Sequence, residues 1–480
     1  MDISFIVDGT AMEAEGGATY ERKDPMTGKV ATRAAAATLA DVDKVVAAAS
    51  GAFETWSQTG PGLRRALLLK AADLMESRTN DFIKLMLEET GATAPWAGFN
   101  VHLAAGILRE AASLTTQIAG EVIPSDKPGI LSMAIRQPAG VVLGIAPWNA
   151  PVILGTRAVA AALACGNTVI LRSSEVCPGT HQLIGQVLND AGFPKGVVNV
   201  LSNAPADAPK IVEALIAHPA IRRINFTGST KVGRIIAKLA AEHLKPVLLE
   251  LGGKAPLLVL DDADLDQAVD AAAFGAFMNQ GQICMSTERI IVDDKIADAF
   301  VAKLAAKASK LPAGDPRGHV VLGSLVDLAP AERMDVLIAD AVGKGAKVIA
   351  GGKRNGTVVE ATLLDHVKAE MKIYSEESFG PVKSIVRVKG VDEAVRVAND
   401  TEYGLSAAVF GRDIMRAMAV AKRIESGICH INGPTVADEA QMPFGGMKAS
   451  GYGRFGGKAV IDEFTDLRWI TVEGPQHYPF

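Results

Sequence analysis

The sequence predicts an α/β protein with two doubly wound α/β domains, and three observations carry that expectation. From Gly140 onward short apolar runs alternate with amphipathic stretches: 140–146 then 151–164, 168–172 then 178–191, 197–201 then 205–217, and 221–228 then 230–242. Repeated strand and helix of this kind is the pattern of a parallel sheet with crossover helices. The alternation resumes after Glu250, with strands expected near 255–261, 288–293, 346–350, 382–389, 406–411 and 428–432, which implies a second α/β unit. Composition agrees. A chain of 480 residues is long for a single hydrophobic core, and 47 glycines with only 5% aromatics suit close helix-on-sheet packing and tight turns.

Ahead of the alternation, Thr38 is placed to cap a helix on which Val42, Val45, Val46, Ala49, Phe53 and Trp56 share one face. A second helix follows Gly60-Pro61-Gly62, with Leu67, Leu68, Ala71, Leu74 and Met75 inward. Two segments fit neither sheet: Glu121 to Gln137, with a turn at Pro124 to Pro128, and Phe464 to Glu473. Both read as extended, and an extended segment left alone exposes unpaired edges. They form either an arm that pairs with another subunit or a hairpin packed on its own chain.

Charge and cysteine usage narrow the function classes. The 54 acidic and 49 basic residues are mixed along the chain, with no basic stripe for a phosphate backbone, so nucleic acid is excluded as a partner. No basic region leads into an apolar run at Met1-Asp2-Ile3-Ser4-Phe5, and Pro147, Trp148, Asn149 and Pro151 interrupt the most apolar stretch, 138–156; a cytoplasmic protein without a membrane span is expected. The four cysteines have no C-x-x-C spacing and no neighbouring His, and the eight His form no metal-binding pattern, so no metal is expected.

Cys165, Cys177 and Cys429 read as inert core thiols. Cys284 differs, because Gln280-Gly281-Gln282-Ile283 breaks an Ala/Phe helix just before it, and a thiol on a bend beside free N–H groups can be activated. Glu250 ends an apolar strand directly before Gly252-Gly253, where open α/β sheets assemble sites; the alternative is a strand-end carboxylate in solvent. Asn149 sits between two prolines after a strand, as an amide donor or as a helix N-cap. Gly228-Ser229-Thr230-Lys231-Val232-Gly233 follows a strand and opens a helix, a place for a phosphate, although it lacks the first glycine pair of G-x-G-x-x-G.

Six motifs then occur in order: PWNAP (147–151), FTGSTKVG (226–233), LELGGK (249–254), GQICMSTER (281–289), EESFGPV (376–382) and PFGGMKASGYGR (443–454). From about Tyr20 to the C-terminus the chain resembles the NAD(P)-dependent aldehyde dehydrogenase family. The resemblance implies a Rossmann-like NAD-binding domain over 1–120 and 138–249, a catalytic domain over 250–440, and a β oligomerisation arm over 121–137 and 460–480, in a homodimer or dimer of dimers. It makes Cys284 the nucleophile, Glu250 the general base and Asn149 the oxyanion donor. For the cofactor it implies Ile145, Ala146, Pro147 and Trp148 along the cleft, and Phe226, Gly228, Ser229, Gly233 and Leu251 around the pyrophosphate turn. Glu377 and Phe379 fall at the nicotinamide end. Arg172, Ser174 and Glu175 stand where the family has K-P-S-E at the adenosine ribose. Glu175 would repel a 2′-phosphate, which favours NAD. Arg172 replaces the usual Lys, and Phe455 stands where Glu commonly follows Arg454.

The texture is similar to the bacterial aromatic aldehyde dehydrogenases of the salicylaldehyde, benzaldehyde and vanillin type. The matching tunnel positions are Ala150, Leu154 and Arg157, with Ile283 beside the thiol and Trp96 able to stack on a ring. Arg157 in an apolar channel either meets an oxygen of the substrate or pairs with a neighbouring carboxylate, and Trp96 either faces the ring or packs in the core. The expectation is NAD-dependent oxidation of an aromatic aldehyde, salicylaldehyde first, in aromatic compound catabolism. Small aliphatic aldehydes or semialdehydes are the alternative substrates, and a non-catalytic scaffold is the alternative of another class.

Overall fold

Strands that are apolar on both faces need cover on both faces, and the computed structural model, which describes residues 1–480, meets that need with two large sheets. In the first, five parallel strands lie in the order Val247–Glu250, Ile221–Thr227, Val141–Ile145, Thr168–Arg172 and Val198–Leu201. Alternate residues serve opposite cores: Val141, Leu143 and Ile145 pack on one side, whereas Val142, Val169 and Leu171 pack on the other. Antiparallel strands close both edges, Gly451–Tyr452 on one and Phe5–Val7 with Thr10–Met12 on the other.

The second sheet runs Lys347–Ala350, Thr362–Asp365, Val382–Val388, Arg289–Asp293, Pro256–Val259, Ser406–Phe410, Ile428–Ile431, parallel except for the first strand. Leu258 and Ile291 enter one core, Leu257, Ile290 and Val292 the other. All six strands expected after Glu250 are present, and Thr362–Asp365 is added between two of them. No helix is long and apolar enough to cross a membrane.

Chain order places the site. The first sheet grows outward from Val141–Ile145 through Thr168–Arg172 to Val198–Leu201, then returns to add Ile221–Thr227 on the opposite side. A ligand crevice opens beyond the carboxyl ends of strands where the order reverses in this way. Pro147 to Pro151 and Gly228-Ser229 both leave the sheet there. The second sheet faces the same space with the amino ends of its strands, since Glu250 ends one strand and Pro256 begins the next.

The two extended segments pair with each other: Thr465–Val472 runs antiparallel to Leu131–Pro138, from Thr465 opposite Pro138 to Val472 opposite Leu131, and Glu121–Val122 flanks them. Thr465–Val472 is the outer strand, and its Trp469 is 75% exposed. The helix Ala94–Leu114 has no clean apolar stripe in sequence because it is buried on several sides between other helices.

Asn167 ties these parts together. Its Oδ1 accepts from the Gly140 N–H at 3.0 Å, and its Nδ2 donates to Ala162 O at 3.0 Å and to Phe464 O at 2.8 Å. It is fully buried, so no water replaces what is lost. Each buried group left unpaired costs about 1–3 kcal/mol, and Asn167→Ala is expected to lower stability by about 2–4 kcal/mol, measured by chemical denaturation. A change within error would show that these backbone groups find other partners.

Candidate active site

The chain reaches its half-buried thiol, Cys284, through a backbone turn that few sequences adopt. Asn279, Gln280 and Gly281 all have left-handed conformations, with φ of 48°, 56° and 70°. A non-glycine residue there costs about 1–2 kcal/mol, so the turn must be held. The Asn279 Nδ2 donates to Asn149 O at 3.0 Å, the Gln280 Nε2 to Ser324 O at 3.0 Å, and the Val326 N–H to Gln282 Oε1 at 3.0 Å. Gly281 has no substitute: a Cβ there would stand 2.3 Å from Gly380 O. The Cys284 N–H leaves this turn with no hydrogen-bond partner in the chain.

Asn149 is no helix cap, since the helix Pro151–Ala164 is capped by Ala150 without a side-chain bond. Its Nδ2 instead reaches across to Gln282 O at 3.0 Å, which fixes the amide beside the thiol and leaves its second proton free. Glu250 is not in solvent either. It is buried with both carboxylate oxygens unpartnered. Burial pushes its carboxyl up to about 7, with Cys284 and Arg157 pulling it the other way. The Cys284 thiol is itself pushed up, first by burial and then by the Glu250 charge.

Two cavities meet at Cys284. The larger, about 1340 Å³, is the crevice at the strand ends, and Pro147, Trp148, Gly228, Ser229, Leu251, Glu377 and Phe379 line it together with Glu250. Ile145, Ala146 and Phe226 are buried. Ser229 caps the helix Thr230–Glu242, whose N-terminal N–H groups face the crevice side. The glycines keep backbone and neighbours close: a Cβ on Gly228 would lie 2.4 Å from Phe226 Cζ, on Gly233 2.4 Å from Leu251 Cδ2, and on Gly252 2.7 Å from Glu377 Oε2. An open cradle at a helix N-terminus fits a dinucleotide pyrophosphate. Glu377 accepts from the Gly253 N–H at 3.0 Å, and burial raises its carboxyl to about 7. The Phe379 ring meets Trp148 edge-on at 5.7 Å.

Arg172, Ser174 and Glu175 lie one strand away, at the end of Thr168–Arg172, outside the crevice lining. Arg172 donates to Asn203 Oδ1 at 2.8 Å and forms an ion pair with Glu175. The Ser174 N–H donates to His181 Nδ1 at 3.1 Å. The arginine that departs from the family pattern is thus held by the acid three residues on.

The smaller cavity, about 200 Å³, is walled mostly by apolar side chains and takes in all five expected residues, Trp96, Ala150, Leu154, Arg157 and Ile283. Trp96 stacks on Phe99 at 5.6 Å, and its Nε1 donates to Asn149 O at 3.1 Å, so it is both wall and brace. Arg157 pairs with a carboxylate: its Nη2 lies 2.6 Å from Asp438 Oδ2, and its guanidinium stands 4.6 Å above the Phe444 ring. Phe455 is buried behind it, sharing with Arg157 the lining of a void of about 20 Å³, and exchanges backbone hydrogen bonds with Phe444 at 2.7 and 2.8 Å. Asn149, Leu154 and Cys284 line both cavities.

Sequence reasoning passed over Phe99, Asp438, Phe444 and a buried triad. Glu288 lies 2.7 Å from Lys254 and 2.6 Å from Lys383, and accepts from the Ser378 N–H at 2.8 Å. Burial raises its carboxyl, but the two ammonium groups overcome that and hold it down to about 2. The signal was there in part for the triad, since Lys383 is a charge within the apolar strand Val382–Val388, while Lys254 and Glu288 stand just before strands. For Asp438, 281 positions from Arg157, only the fold supplies it.

Glu250 has a thermodynamic signature. Its folded pKa of about 7 lies above the ordinary 4.5, so the folded chain holds a proton that the unfolded chain releases. Stability from this group is full below pH 4.5, declines as pH rises toward 7, and stays low above it. At 1.36 kcal/mol per unit the loss is about 3 kcal/mol. Glu250→Gln is expected to gain stability relative to the unmodified protein at pH 8 and not at pH 4.5, read from denaturation midpoints. A pH-independent difference would refute an unpaired buried carboxylate.

Comparison with known proteins identifies the family. The model of the aldehyde dehydrogenase family matches residues 12–470. The chain is 63% identical over 481 residues to a vanillin dehydrogenase of Pseudomonas fluorescens and 55% identical over 483 residues to a salicylaldehyde dehydrogenase of Pseudomonas putida, with 100% of both chains covered in each case. A crystal structure of a salicylaldehyde dehydrogenase from Pseudomonas putida G7 complexed with salicylaldehyde matches with a TM-score of 0.98 at 54% identity, again over 100% of both chains. The chain belongs to the aldehyde dehydrogenase family.

Proposed function

We propose that this protein oxidises an aromatic aldehyde to its carboxylic acid with NAD as hydride acceptor. One observation carries the reading: Cys284 and Asn149 stand where the dinucleotide-sized crevice meets an apolar pocket walled by Trp96, Phe99 and Phe444. An aldehyde whose ring fills the pocket presents its carbonyl carbon at the thiol. The names of the vanillin and salicylaldehyde relatives support a hydroxylated benzaldehyde, and the aromatic walls argue against small aliphatic substrates.

Cys284 is the nucleophile. Its thiol loses a proton to solvent, and the thiolate adds to the carbonyl carbon. The oxyanion that develops accepts hydrogen bonds from the free Asn149 Nδ2 proton and the unpartnered Cys284 N–H. A nicotinamide dinucleotide bound in the crevice supplies acceptance of hydride from that carbon. The Cys284 thioester then needs water, which Glu250 activates by taking a proton; the acid leaves and the thiol is restored. A carboxyl near 7 suits this work, since a base is most effective close to the operating pH. Gly228, Ser229 and Gly233 would hold the pyrophosphate, with Glu377 and Phe379 at the nicotinamide end. Glu175 favours NAD over NADP, because its carboxylate would repel a 2′-phosphate.

On the same reading, residues 1–120 and 138–249 form the dinucleotide-binding domain, 250–440 the catalytic domain, and 121–137 with 460–480 the arm. The four unpaired cysteines fit a cytoplasmic enzyme. The free edge of Thr465–Val472, with exposed Leu467, Trp469 and Val472, supports at least a homodimer; light scattering should show it, and a monomer at micromolar concentration would refute it.

The chemistry is tested with benzaldehyde, salicylaldehyde, vanillin and an aliphatic semialdehyde, each with NAD and with NADP. The aromatic aldehydes with NAD are expected to give the highest kcat/KM. Cys284→Ala should abolish cofactor reduction, whereas Glu250→Gln should give one burst of reduced cofactor and then stall. Loss of activity without a burst in Glu250→Gln would count against a purely deacylating base and show that Glu250 also activates the thiol.

A further inference from the structure

We propose that Asp438 is a specificity residue whose second carboxylate oxygen accepts a hydrogen bond from a phenolic hydroxyl on the substrate ring. The inference rests on the aromatic-aldehyde reading above and names what distinguishes one ring from another.

Asp438 lines the apolar pocket, and its side chain is 8% exposed against 7% for Arg157. The two oxygens of its carboxylate are treated differently. Oδ2 takes the Arg157 guanidinium at 2.6 Å, while Oδ1 is buried and has no partner. A buried acceptor without a donor is unfavourable, and more so for a charged group. Arg157 cannot easily turn to serve both oxygens, because its guanidinium is also seated over the Phe444 ring. The other polar side chains lining this pocket, Asn149 and Cys284, belong to the reaction centre. A ligand that fills the pocket with a bare ring leaves Oδ1 unsatisfied, and one whose ring carries an O–H satisfies it. Arg157 is then a positioning residue, holding the carboxylate that meets the substrate.

This differs from a direct contact between Arg157 and a ring oxygen in a way that chemistry can separate. A guanidinium donates, so it accepts a hydroxyl or a methoxyl oxygen as partner. A carboxylate oxygen only accepts, so it binds the hydroxyl and rejects the methyl ether.

The experiment measures kcat/KM with NAD for benzaldehyde, the three hydroxybenzaldehydes and the three methoxybenzaldehydes. The unmodified protein is expected to prefer hydroxyl to methoxyl at one ring position by about ten- to a hundredfold, the worth of a hydrogen bond to a charged group. Asp438→Asn should cut that preference at least tenfold relative to benzaldehyde. Arg157→Met combined with Asp438→Leu leaves no unpaired charge, and it should also lose the preference. As a check that needs no variant, phenol should inhibit benzaldehyde oxidation at least tenfold more strongly than anisole. Equal inhibition by the two, or an unchanged hydroxyl-to-methoxyl ratio in both variants, would overturn the role of Asp438. Failure of the unmodified protein to oxidise any of the aromatic aldehydes would instead overturn the reading on which it rests.

Discussion

A single peptide group at Asn149 is the constraint on which the site depends. Its carbonyl accepts from Trp96 Nε1 at 3.1 Å and from Asn279 Nδ2 at 3.0 Å, while its side-chain amide donates to Gln282 O at 3.0 Å. One residue between two prolines thereby joins the aromatic wall, the left-handed turn before Cys284 and the start of the helix Pro151–Ala164. The prolines matter because each fixes φ and removes a donor, so the short segment has little freedom of its own. The strain in the turn at Asn279 and Gln280 is opposed by bonds that reach two separate parts of the chain, Asn149 and the segment from Ser324 to Val326. Such strain persists only where the surroundings over-determine it.

Around that anchor, three glutamates show how environment sets the charge of a carboxylate. Glu288 lies between two lysines and is held at low pKa, a fixed charge that fastens the segment carrying Ser378 and Phe379. Glu377 has one backbone donor and stands near 7. Glu250 has no donor at all and also stands near 7, and it is the one that faces a thiol. A charge that is fully paired does not move protons near neutral pH. Withholding partners from Glu250 lowers stability and keeps a proton acceptor available beside the thiol.

The parts of the fold legible in sequence were those whose cause is local. The parallel strands of both sheets read as apolar runs because they are buried on both faces, and Cys284, Glu250 and Asn149 stood out because a bend, a strand end or a pair of prolines surrounds each one. Phe5–Val7 was not legible, because a three-residue strand owes its existence to Val198–Leu201, nearly 200 positions away. The same reason hid Asp438: an Arg in an apolar channel announces that a carboxylate must exist, and nothing in the surroundings of Arg157 says which. Glu175 shows the converse. Its motif was visible, while its ion pair with Arg172 is seen only in the fold.

The edge strand Gly451–Tyr452 sets a schedule for synthesis. It pairs with Val247–Glu250, the Leu251 N–H donates to Ser450 O at 3.1 Å, and the Ser450 hydroxyl donates to Gly252 O at 2.7 Å. The strand that carries Glu250 is therefore completed by residues some 200 positions downstream. During synthesis Glu250 and Cys284 both emerge well before the residues that complete this sheet edge. A product that stops short of Gly451 therefore leaves the outer edge of Val247–Glu250, the strand that carries Glu250, without its partner.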